Sequence, residues 1–261
     1  MSTDYPVPSE LFSLSRQVAV VTGGGRGIGE GIARTLAAAG AKVVVAARRV
    51  DDVEAVAASI RADGGDALAV VTDVTDDAAV NALALAAISA HGSLSIWVNN
   101  AGGSAARLPL TELSRADWDH CIALNQTAVW IGITTAARHM QTGSIINISS
   151  GAGTGPVPGS GHYGAAKAAV NSLTQTASAE LAPRIRVNGV APGVVPTEIF
   201  RKALGIENDA DLAEVEARWN IPMQRLGTPL DMGAAVLFLC SPAASWITGE
   251  TLRVGGGAKP R

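Results

Sequence analysis

The stretch Val18-Ala-Val-Val-Thr-Gly-Gly-Gly-Arg-Gly-Ile-Gly29 decides the fold of this chain. Its apolar half predicts a buried strand, and its glycine-rich half leads into an Ala-rich segment with helical spacing, Gly29–Ala39. Gly23, Gly27 and Gly29 allow a tight turn and a close backbone approach, while the helix start presents free N–H groups. The stretch therefore predicts a strand–turn–helix unit that cradles a dinucleotide pyrophosphate, although a turn that binds nothing would have the same composition.

The rest of the chain repeats this alternation of short apolar runs and longer helical segments. Further runs rich in apolar residues are Val43–Ala46, Ala67–Val71, Ile96–Val98, Ser144–Ile148, Arg186–Val190 and Thr251–Val254. The helical segments between them include Asp52–Ala62, Asp77–His91, Arg115–His139, Tyr163–Leu181 and Leu230–Cys240. Runs without polar alternation are typical of strands buried on both faces. We expect an α/β protein with a doubly wound, seven-stranded parallel sheet and helices on both faces.

The chain shows no internal linker or low-complexity block, so we expect one domain over residues 1–261. Residues 1–14 form a polar N-terminal extension. The alternation of strand and helix patterns is interrupted over residues 194–228. Thr197–Leu204 and Asp211–Trp219 predict two short helices there. Insertions beyond the carboxyl ends of parallel strands tend to cover ligand sites, so this segment is interpreted as a substrate lid. The alternative is that residues 194–228 form a surface segment without a functional role.

Composition excludes several classes of protein. Hydrophobic residues make up 48% of the chain and charged residues 16%, which is typical of one large core and not of a disordered chain. The net charge of −3 without a basic block argues against a nucleic-acid partner. Cys121 and Cys240 lie in apolar helical stretches and the histidines are scattered, so no disulfide framework or metal site is expected. With no signal-peptide pattern and no membrane-length apolar run, we expect a cytoplasmic protein.

The end of the second strand bears on the choice of cofactor. Selection of NAD(H) needs an acid there to accept from the ribose 2′-hydroxyl, but the sequence has Ala47 followed by Arg48 and Arg49. These guanidinium groups, with Arg26 in the glycine-rich turn, suit a 2′-phosphate, so NADP(H) is favoured. NAD(H) remains possible if the arginines are solvated surface charges. Asp73, after the third strand, is placed either to accept from the adenine amino group or to serve in a helix N-cap region.

Two pairs of residues point to acid–base chemistry. Tyr163 and Lys167 are four positions apart at the head of a predicted helix, which places them on one face. An ammonium beside a phenol lowers the phenol pKa, so Tyr163 is predicted to be a general acid or base. The fifth strand ends in Ser149-Ser150, at the edge where such sheets bind ligands. Ser150 is the candidate hydrogen-bond partner of a substrate oxygen, and Ser149 is interpreted as a turn cap.

From about Gln17 to Gly257 the sequence resembles the short-chain dehydrogenase/reductases. The motifs that carry the resemblance are Thr22–Gly29, Asn99-Asn-Ala-Gly102, Ser150, Tyr163-Gly-Ala-Ala-Lys167, and Pro192-Gly193 followed by Thr197. The resemblance implies a single-domain Rossmann fold and a catalytic tetrad of Asn125, Ser150, Tyr163 and Lys167. In it Tyr163 transfers the proton, Ser150 polarises the carbonyl, Lys167 binds the nicotinamide ribose, and Asn125 holds a water of the proton relay.

The residues expected to contact the cofactor come from the turn and from later strand ends. They are Gly23, Gly25, Arg26, Gly27, Ile28, Gly29, Arg48, Arg49, Asp73, Val74, Asn100, Ala101, Gly102, Tyr163, Lys167, Pro192, Gly193, Val195 and Thr197. By the same resemblance, Asn100, Ala101 and Gly102 would line the cofactor ribose. Pro192, Gly193, Val195 and Thr197 would seat the nicotinamide carboxamide.

The expected function is an NADP(H)-dependent oxidoreductase that moves a hydride between nicotinamide and a carbonyl or secondary alcohol. Leu237–Gly249 is similar to the corresponding stretch of bacterial hydroxysteroid dehydrogenases and 3-oxoacyl-carrier-protein reductases, and a bulky apolar small molecule is the expected substrate. The family implies a homotetramer, or a homodimer. The alternatives are a catalytically silent dinucleotide sensor and an NAD-dependent alcohol dehydrogenase. An isomerase or dehydratase is disfavoured by the chain length.

Overall fold

Seven parallel strands form one sheet in the computed structural model, which describes residues 6–104, 106–219 and 221–258. The strands are β1 (Val18–Thr22), β2 (Lys42–Ala47), β3 (Asp66–Val71), β4 (Ile96–Asn99), β5 (Gly143–Ile148), β6 (Ile185–Pro192) and β7 (Thr251–Val254). Their order across the sheet is β3-β2-β1-β4-β5-β6-β7. The chain moves outward on one side of β1 and then returns to its other side, so a crevice opens between the carboxyl ends of β1 and β4.

Ten α-helices are present among the described residues. They are α1 (Pro8–Leu11), α2 (Gly27–Ala38), α3 (Val50–Ala62), α4 (Asp77–His91), α5 (Arg115–Ile122), α6 (Ala128–His139), α7 (Gly161–Leu181), α8 (Glu198–Leu204), α9 (Asp209–Trp219) and α10 (Pro229–Cys240). All seven expected strands and the doubly wound parallel arrangement are confirmed. The two short helices expected between residues 194 and 228 are α8 and α9.

Alternation along each strand divides the core into two layers. In β1, Ala19 and Val21 pack with α2, α3 and α10, whereas Val18 and Val20 pack with α4, α6 and α7. Every residue of β1 is buried, because helices cover both faces of the sheet. This double cover explains why the strands read as unbroken apolar runs in the sequence.

The long helix expected over Arg115–His139 is interrupted. The structure has α5, then a π-helical turn over Ala123–Thr127, and then α6. Asn125 lies in this turn and its side-chain Nδ2 donates to the Cys121 carbonyl oxygen at 3.0 Å. A π turn inserts a residue into the helical ladder and re-aims a side chain, which apolar periodicity cannot reveal.

A buried chain of polar side chains links β4, β5 and α7. Trp97 Nε1 donates to Asn99 Oδ1 at 2.7 Å, and Asn99 Nδ2 donates to Asn147 Oδ1 at 2.9 Å. Asn147 Nδ2 then donates to Thr174 Oγ1 at 2.9 Å. Because these side chains are buried, the hydrogen bonds between them satisfy polar groups that would otherwise lack partners. The chain fixes α7 against β5, and both elements carry residues of the candidate site.

Replacing Asn147 by Leu removes the centre of this chain and leaves the Asn99 amide and the Thr174 hydroxyl short of a partner. We expect the free energy of unfolding in urea to fall by about 2–4 kcal/mol. Gln175→Leu, an exposed change on the same helix, is the matched control and should leave stability nearly unaltered. A loss no larger for Asn147→Leu than for this control would show that the chain does not stabilise the fold.

Candidate active site

A cleft of about 720 Å³ opens at the carboxyl edge of the sheet. All nineteen residues expected to contact a cofactor line it, and they come from the carboxyl ends of β1, β2, β3, β4 and β6, the loops after them, and the first turns of α2 and α7. Ser150 lines it as well, whereas Asn125 does not. Parallel strands direct all their carboxyl-terminal loops to one edge, so segments far apart in sequence meet there.

The glycine-rich turn is closed as tightly as its backbone allows. A Cβ atom on Gly29 would lie 2.1 Å from the Gly23 carbonyl oxygen and 2.5 Å from Asn100 Nδ2. Gly23 itself has φ +63°, a left-handed conformation that favours glycine. Only a residue without a side chain fits at position 29, and α2 can therefore begin directly over the turn.

Hydrogen bonds from the end of β4 hold this turn in place. Asn100 Nδ2 donates to the carbonyl oxygens of Thr22 and Gly23 at 2.8 and 3.1 Å. Thr22 Oγ1 donates to the Val98 carbonyl oxygen at 3.1 Å and accepts from the Asn100 backbone N–H at 3.0 Å. The Asn100 side chain therefore fastens the glycine-rich turn to the end of β4.

The three arginines near β2 differ in their partners. Arg26 forms an ion pair with Glu198 at the start of α8. Arg49 pairs with Asp52 and lies 3.9 Å from the same Glu198 carboxylate. Arg48 is exposed, lines the cleft, and forms no ion pair with any residue that the structure describes. Arg48 is thus the arginine of this group most available to an incoming anion.

Asp73 is engaged within its own loop. Its Oδ1 accepts from the backbone N–H of Thr75 at 2.9 Å and from the Thr75 hydroxyl at 2.7 Å. These hydrogen bonds to Thr75, with a smaller contribution from the Arg48 charge, lower the pKa of Asp73 below its ordinary value. The N-cap of α4 is Asp76, which accepts from Ala78 and Ala79. The second carboxylate oxygen of Asp73 can still meet an amino group in the cleft.

Tyr163 and Lys167 face the cleft from the first turns of α7, as their spacing predicts. The Lys167 side chain is buried, and its Nζ donates to the Ile148 carbonyl oxygen at 2.9 Å. The same Nζ lies 5.6 Å from the centroid of the Tyr163 ring, over its face. The ammonium is therefore anchored to the end of β5 and lies beside the phenol ring.

Burial dominates the protonation of this pair. It raises the pKa of Tyr163 above its ordinary value, and the hydrogen bond with the Ser150 hydroxyl opposes that shift. Burial lowers the pKa of Lys167 to about 8. The pKa of Tyr163 is thus shifted opposite to the direction expected from the sequence. A helical spacing reveals that the two side chains are close, but it does not reveal how far each is withdrawn from water.

The two serines after β5 have separate roles. Ser149 is buried and its Oγ donates to the Lys167 carbonyl oxygen at 3.1 Å, which ties β5 to α7. Ser150 lines the cleft, and its Oγ accepts from the Ala152 backbone N–H at 3.1 Å. Ser149 is a structural residue, although it braces a helix and does not cap a turn. The Ser150 hydroxyl also forms a hydrogen bond with Tyr163.

Asn125 lies behind the cleft wall, fully buried. Its Oδ1 accepts from the Gly103 backbone N–H at 2.9 Å, and its Nδ2 donates to the Gly103 carbonyl oxygen at 2.9 Å. This two-point bond holds the loop after β4 against the π-helical turn. In the described contacts Asn125 positions that loop, and the proton-relay role implied by the resemblance stays a prediction.

The opposite wall comes from the end of β6 and the segment after it. A Cβ on Gly27 would lie 3.0 Å from Thr197 Cγ2, so Thr197 directly faces the glycine-rich turn. Pro192, Gly193 and Val195 line the cleft beside it. From α8 and α9, the cleft is lined by Phe200, Leu204 and Trp219. The segment interpreted as a lid therefore contributes apolar side chains to the site.

Several further polar residues at the cleft were missed by the sequence reasoning, among them Glu198, Ser104 and Arg107. Glu198 pairs with Arg26 across the cleft. Ser104 lines the cleft, and its Oγ lies 2.9 Å from His162 Nε2, while Arg107 lines the cleft nearby in sequence. Only the position of Ser104 just after the Asn99–Gly102 motif could have pointed to it. Glu198 and Arg107 lie in segments where no sequence motif or helical spacing indicates a site residue.

Two negative findings apply to the described part of the chain. No group of His, Cys, Asp or Glu side chains there could hold a metal ion. No helix there is long and apolar enough to cross a membrane.

Comparison with known proteins gives a consistent result. A family model described as enoyl-(acyl carrier protein) reductase matches residues 23–259. The cis-4-hydroxycyclohexanecarboxylate dehydrogenase of Sinomonas cyclohexanicum is 41% identical, with 94% of this chain and 97% of that protein covered. The 3-oxoacyl-[acyl-carrier-protein] reductase of Synechocystis sp. is 38% identical, with 95% of this chain and 98% of that protein covered.

A solved structure supports the same relationship. A 7α-hydroxysteroid dehydrogenase complexed with NADH and 7-oxoglycochenodeoxycholic acid superposes with a TM-score of 0.90. It is 35% identical, and the alignment covers 98% of this chain and 99% of that one. The likeness therefore extends over the whole sheet and its helices.

Replacing Gly29 by Ala tests whether the closed turn is a nucleotide cradle. We expect binding of NADPH and NADH, measured by fluorescence titration, to weaken at least about tenfold, because overpacking costs about 1–3 kcal/mol. Gly92→Asn is the control: Gly92 caps α4 with φ +82° and has open space around it, and Asn tolerates that conformation. Nucleotide binding unchanged by Gly29→Ala would argue against the cradle.

Proposed function

This chain belongs to the short-chain dehydrogenase/reductase family, and from that premise we propose that it is an NADP(H)-dependent oxidoreductase that interconverts a carbonyl and a secondary alcohol on a bulky, largely apolar substrate. One observation carries the proposal. Ser150, Tyr163 and Lys167 line the same cleft as the closed glycine-rich turn. Proton-transfer groups and a dinucleotide cradle thus share one cavity.

The described residues fit a nicotinamide dinucleotide. The missing side chain at Gly29 lets α2 begin directly over the turn, and the N-terminus of α2 directs its free N–H groups there. Asn100, Ala101 and Gly102 would line the ribose, and Pro192, Gly193, Val195 and Thr197 would hold the nicotinamide end. When bound, the nicotinamide supplies or accepts the hydride. Side chains of the protein would transfer the proton and orient the reacting oxygen.

Tyr163 would move the proton. Because burial raises its pKa, the phenol is protonated at neutral pH, which is the form that donates to a carbonyl oxygen during reduction. Alcohol oxidation needs the phenolate, so its rate is expected to rise with pH. Ser150 would hydrogen-bond the same oxygen and fix its position. Lys167, held by the Ile148 carbonyl oxygen, would stabilise negative charge at the phenol and contact the ribose.

The preference for NADP(H) rests on the end of β2. Ala47 stands where an NAD-selecting acid would lie, and Arg48 is exposed at the cleft without an ion-pair partner among the described residues. Glu198 modifies this interpretation, because it already neutralises Arg26 and lies near Arg49. A 2′-phosphate would meet Arg48 directly and would compete with Glu198 for the other two. NAD(H) is the alternative, and one relative of solved structure is complexed with NADH.

The substrate class follows from the cleft and from the relatives. Phe200, Leu204 and Trp219 of the lid, with Val157, give an apolar wall around the site. Two of the relatives described above are named for substrates whose reacting oxygen sits on a saturated ring. We therefore favour an alicyclic alcohol or ketone, with a 3-oxoacyl substrate as the second candidate.

Assembly into a homotetramer or homodimer is part of the same proposal. Trp118 on α5 and Trp130 on α6 are both exposed. Large exposed aromatic side chains are enriched where proteins associate.

Tyr163→Phe removes the phenol O–H and keeps the ring. We expect turnover of a cyclic ketone with NADPH, followed by nucleotide absorbance, to fall about a thousandfold, in the range of general acid–base catalysis. Nucleotide binding should be retained, because the cradle is intact. Persisting turnover would remove Tyr163 from the role assigned to it. A wild-type protein that binds nucleotide and turns over no ketone or alcohol would favour the sensor alternative.

Arg48→Ala should weaken NADPH binding about tenfold and leave NADH binding unchanged, because only NADPH carries the 2′-phosphate. Fluorescence titration with both nucleotides measures the two dissociation constants. Arg138→Ala, which removes an exposed arginine on the last turn of α6 away from the cleft, controls for the change in net charge. Equal weakening of both nucleotides, or tighter NADH binding by the wild type, would contradict the preference for NADP(H).

A further inference from the structure

The loop formed by residues 103–104 and 106–110 lies against the first turn of α7, the turn that carries Tyr163. At its start, Gly103 is bonded to Asn125, and Ser104 Oγ lies 2.9 Å from His162 Nε2. At its end, the side chain of Leu110 packs so closely on Gly161 that a Cβ there would lie 2.9 Å away. Arg107 lies between these two contacts and lines the cleft. The loop therefore places Arg107, an exposed residue, at the cleft.

The charge of Arg107 is not neutralised within the described part of the chain. It forms no ion pair there, and the acidic side chains that line the cleft are engaged elsewhere. Asp52 pairs with Arg49, Glu198 with Arg26, and Asp73 with Thr75. Arg253 of β7 also lines the cleft without an ion pair among the described residues, but Arg107 lies on the same loop as Ser104.

Ser104 is prepared to donate a hydrogen bond into the same region. His162 is 1% exposed, its Nδ1 has no partner, and burial lowers its pKa, so the ring is neutral. A buried unpaired N–H is rarer than a buried unpaired acceptor, so we place the proton on Nε2, donating to Ser104 Oγ. The Ser104 proton then has only the Ala106 carbonyl oxygen, at a long 3.3 Å. A stronger acceptor in the cleft would take it.

We propose that Arg107 and Ser104 form a subsite for a carboxylate at the end of the substrate remote from the reacting carbon, with His162 as the residue that orients Ser104. The substrate class is then an alicyclic or similarly apolar hydroxy or oxo acid. A planar guanidinium binds a carboxylate with two parallel hydrogen bonds, and the serine hydroxyl adds a third donor. The subsite would fix which carbon of the ring reaches Tyr163. This inference rests on the proposed function, since it concerns the substrate of the same cleft.

The test uses two unreactive probes of nearly equal shape, cyclohexanecarboxylate and cyclohexanecarboxamide. Their binding to the full-length protein with saturating NADP⁺ is measured by titration calorimetry. We expect the wild type to bind the acid about tenfold more tightly than the amide, as a charge-assisted hydrogen bond gives. Arg107→Gln should abolish that preference, and Arg107→Lys should retain part of it. Arg138→Gln is the matched control and should keep the wild-type ratio.

Ser104→Ala and His162→Phe test the second half of the subsite. Each should reduce the acid-to-amide affinity ratio by about threefold, whereas a merely structural role would weaken both probes equally and leave the ratio unchanged. Acid binding no tighter than amide binding in the wild type, or a preference that survives Arg107→Gln, would overturn the inference. Titration of NADPH and NADH alone separates a failure of the proposed function from a failure of the carboxylate subsite. If neither nucleotide binds, the proposed function fails; if one binds and the acid is not preferred, only the carboxylate subsite fails.

Discussion

The closure of the β1–α2 turn onto the end of β4 is the constraint on which the site depends. Two backbone carbonyl oxygens, of Thr22 and Gly23, accept from the single amide of Asn100. The missing side chain at Gly29 lets the first turn of α2 lie directly over Gly23. Because β1 and β4 are neighbours at the point where the strand order reverses, this closure also fixes the floor of the crevice. Every loop that lines the cleft is positioned relative to that floor.

The chemistry of the site is set by exclusion of water. Lys167 and Tyr163 both lose hydration, so the lysine becomes easier to deprotonate and the tyrosine harder. The Ile148 carbonyl oxygen fixes the ammonium in one place, and Ser149 fixes the backbone of the same lysine. Because Lys167 is already fixed beside Tyr163, the site needs little reorganisation when negative charge develops on the phenol.

Support for the site comes from groups that never touch the cleft. The polar chain from Trp97 to Thr174 locks α7 on β5, and the π-helical turn lets Asn125 hold the loop after β4 from behind. That loop also carries Ser104 and Arg107, which line the cleft. The proposed carboxylate subsite and the proposed proton-transfer residues therefore share one scaffold, because both depend on the first turns of α7.

The sequence by itself determined the order of strands and helices, the nucleotide turn and the Tyr163–Lys167 pair. These follow from local rules: apolar runs mark buried strands, glycine marks tight turns, and a spacing of four places two side chains on one helical face. The tertiary structure alone decided the break of the long helix at Ala123–Thr127, the engagement of Arg26 and Arg49 by Glu198, and the upward shift of the Tyr163 pKa. Each of these depends on groups distant in sequence, or on how much water is excluded around a side chain. Burial and long-range pairing are properties of the packed layers, and no short stretch of the chain encodes them.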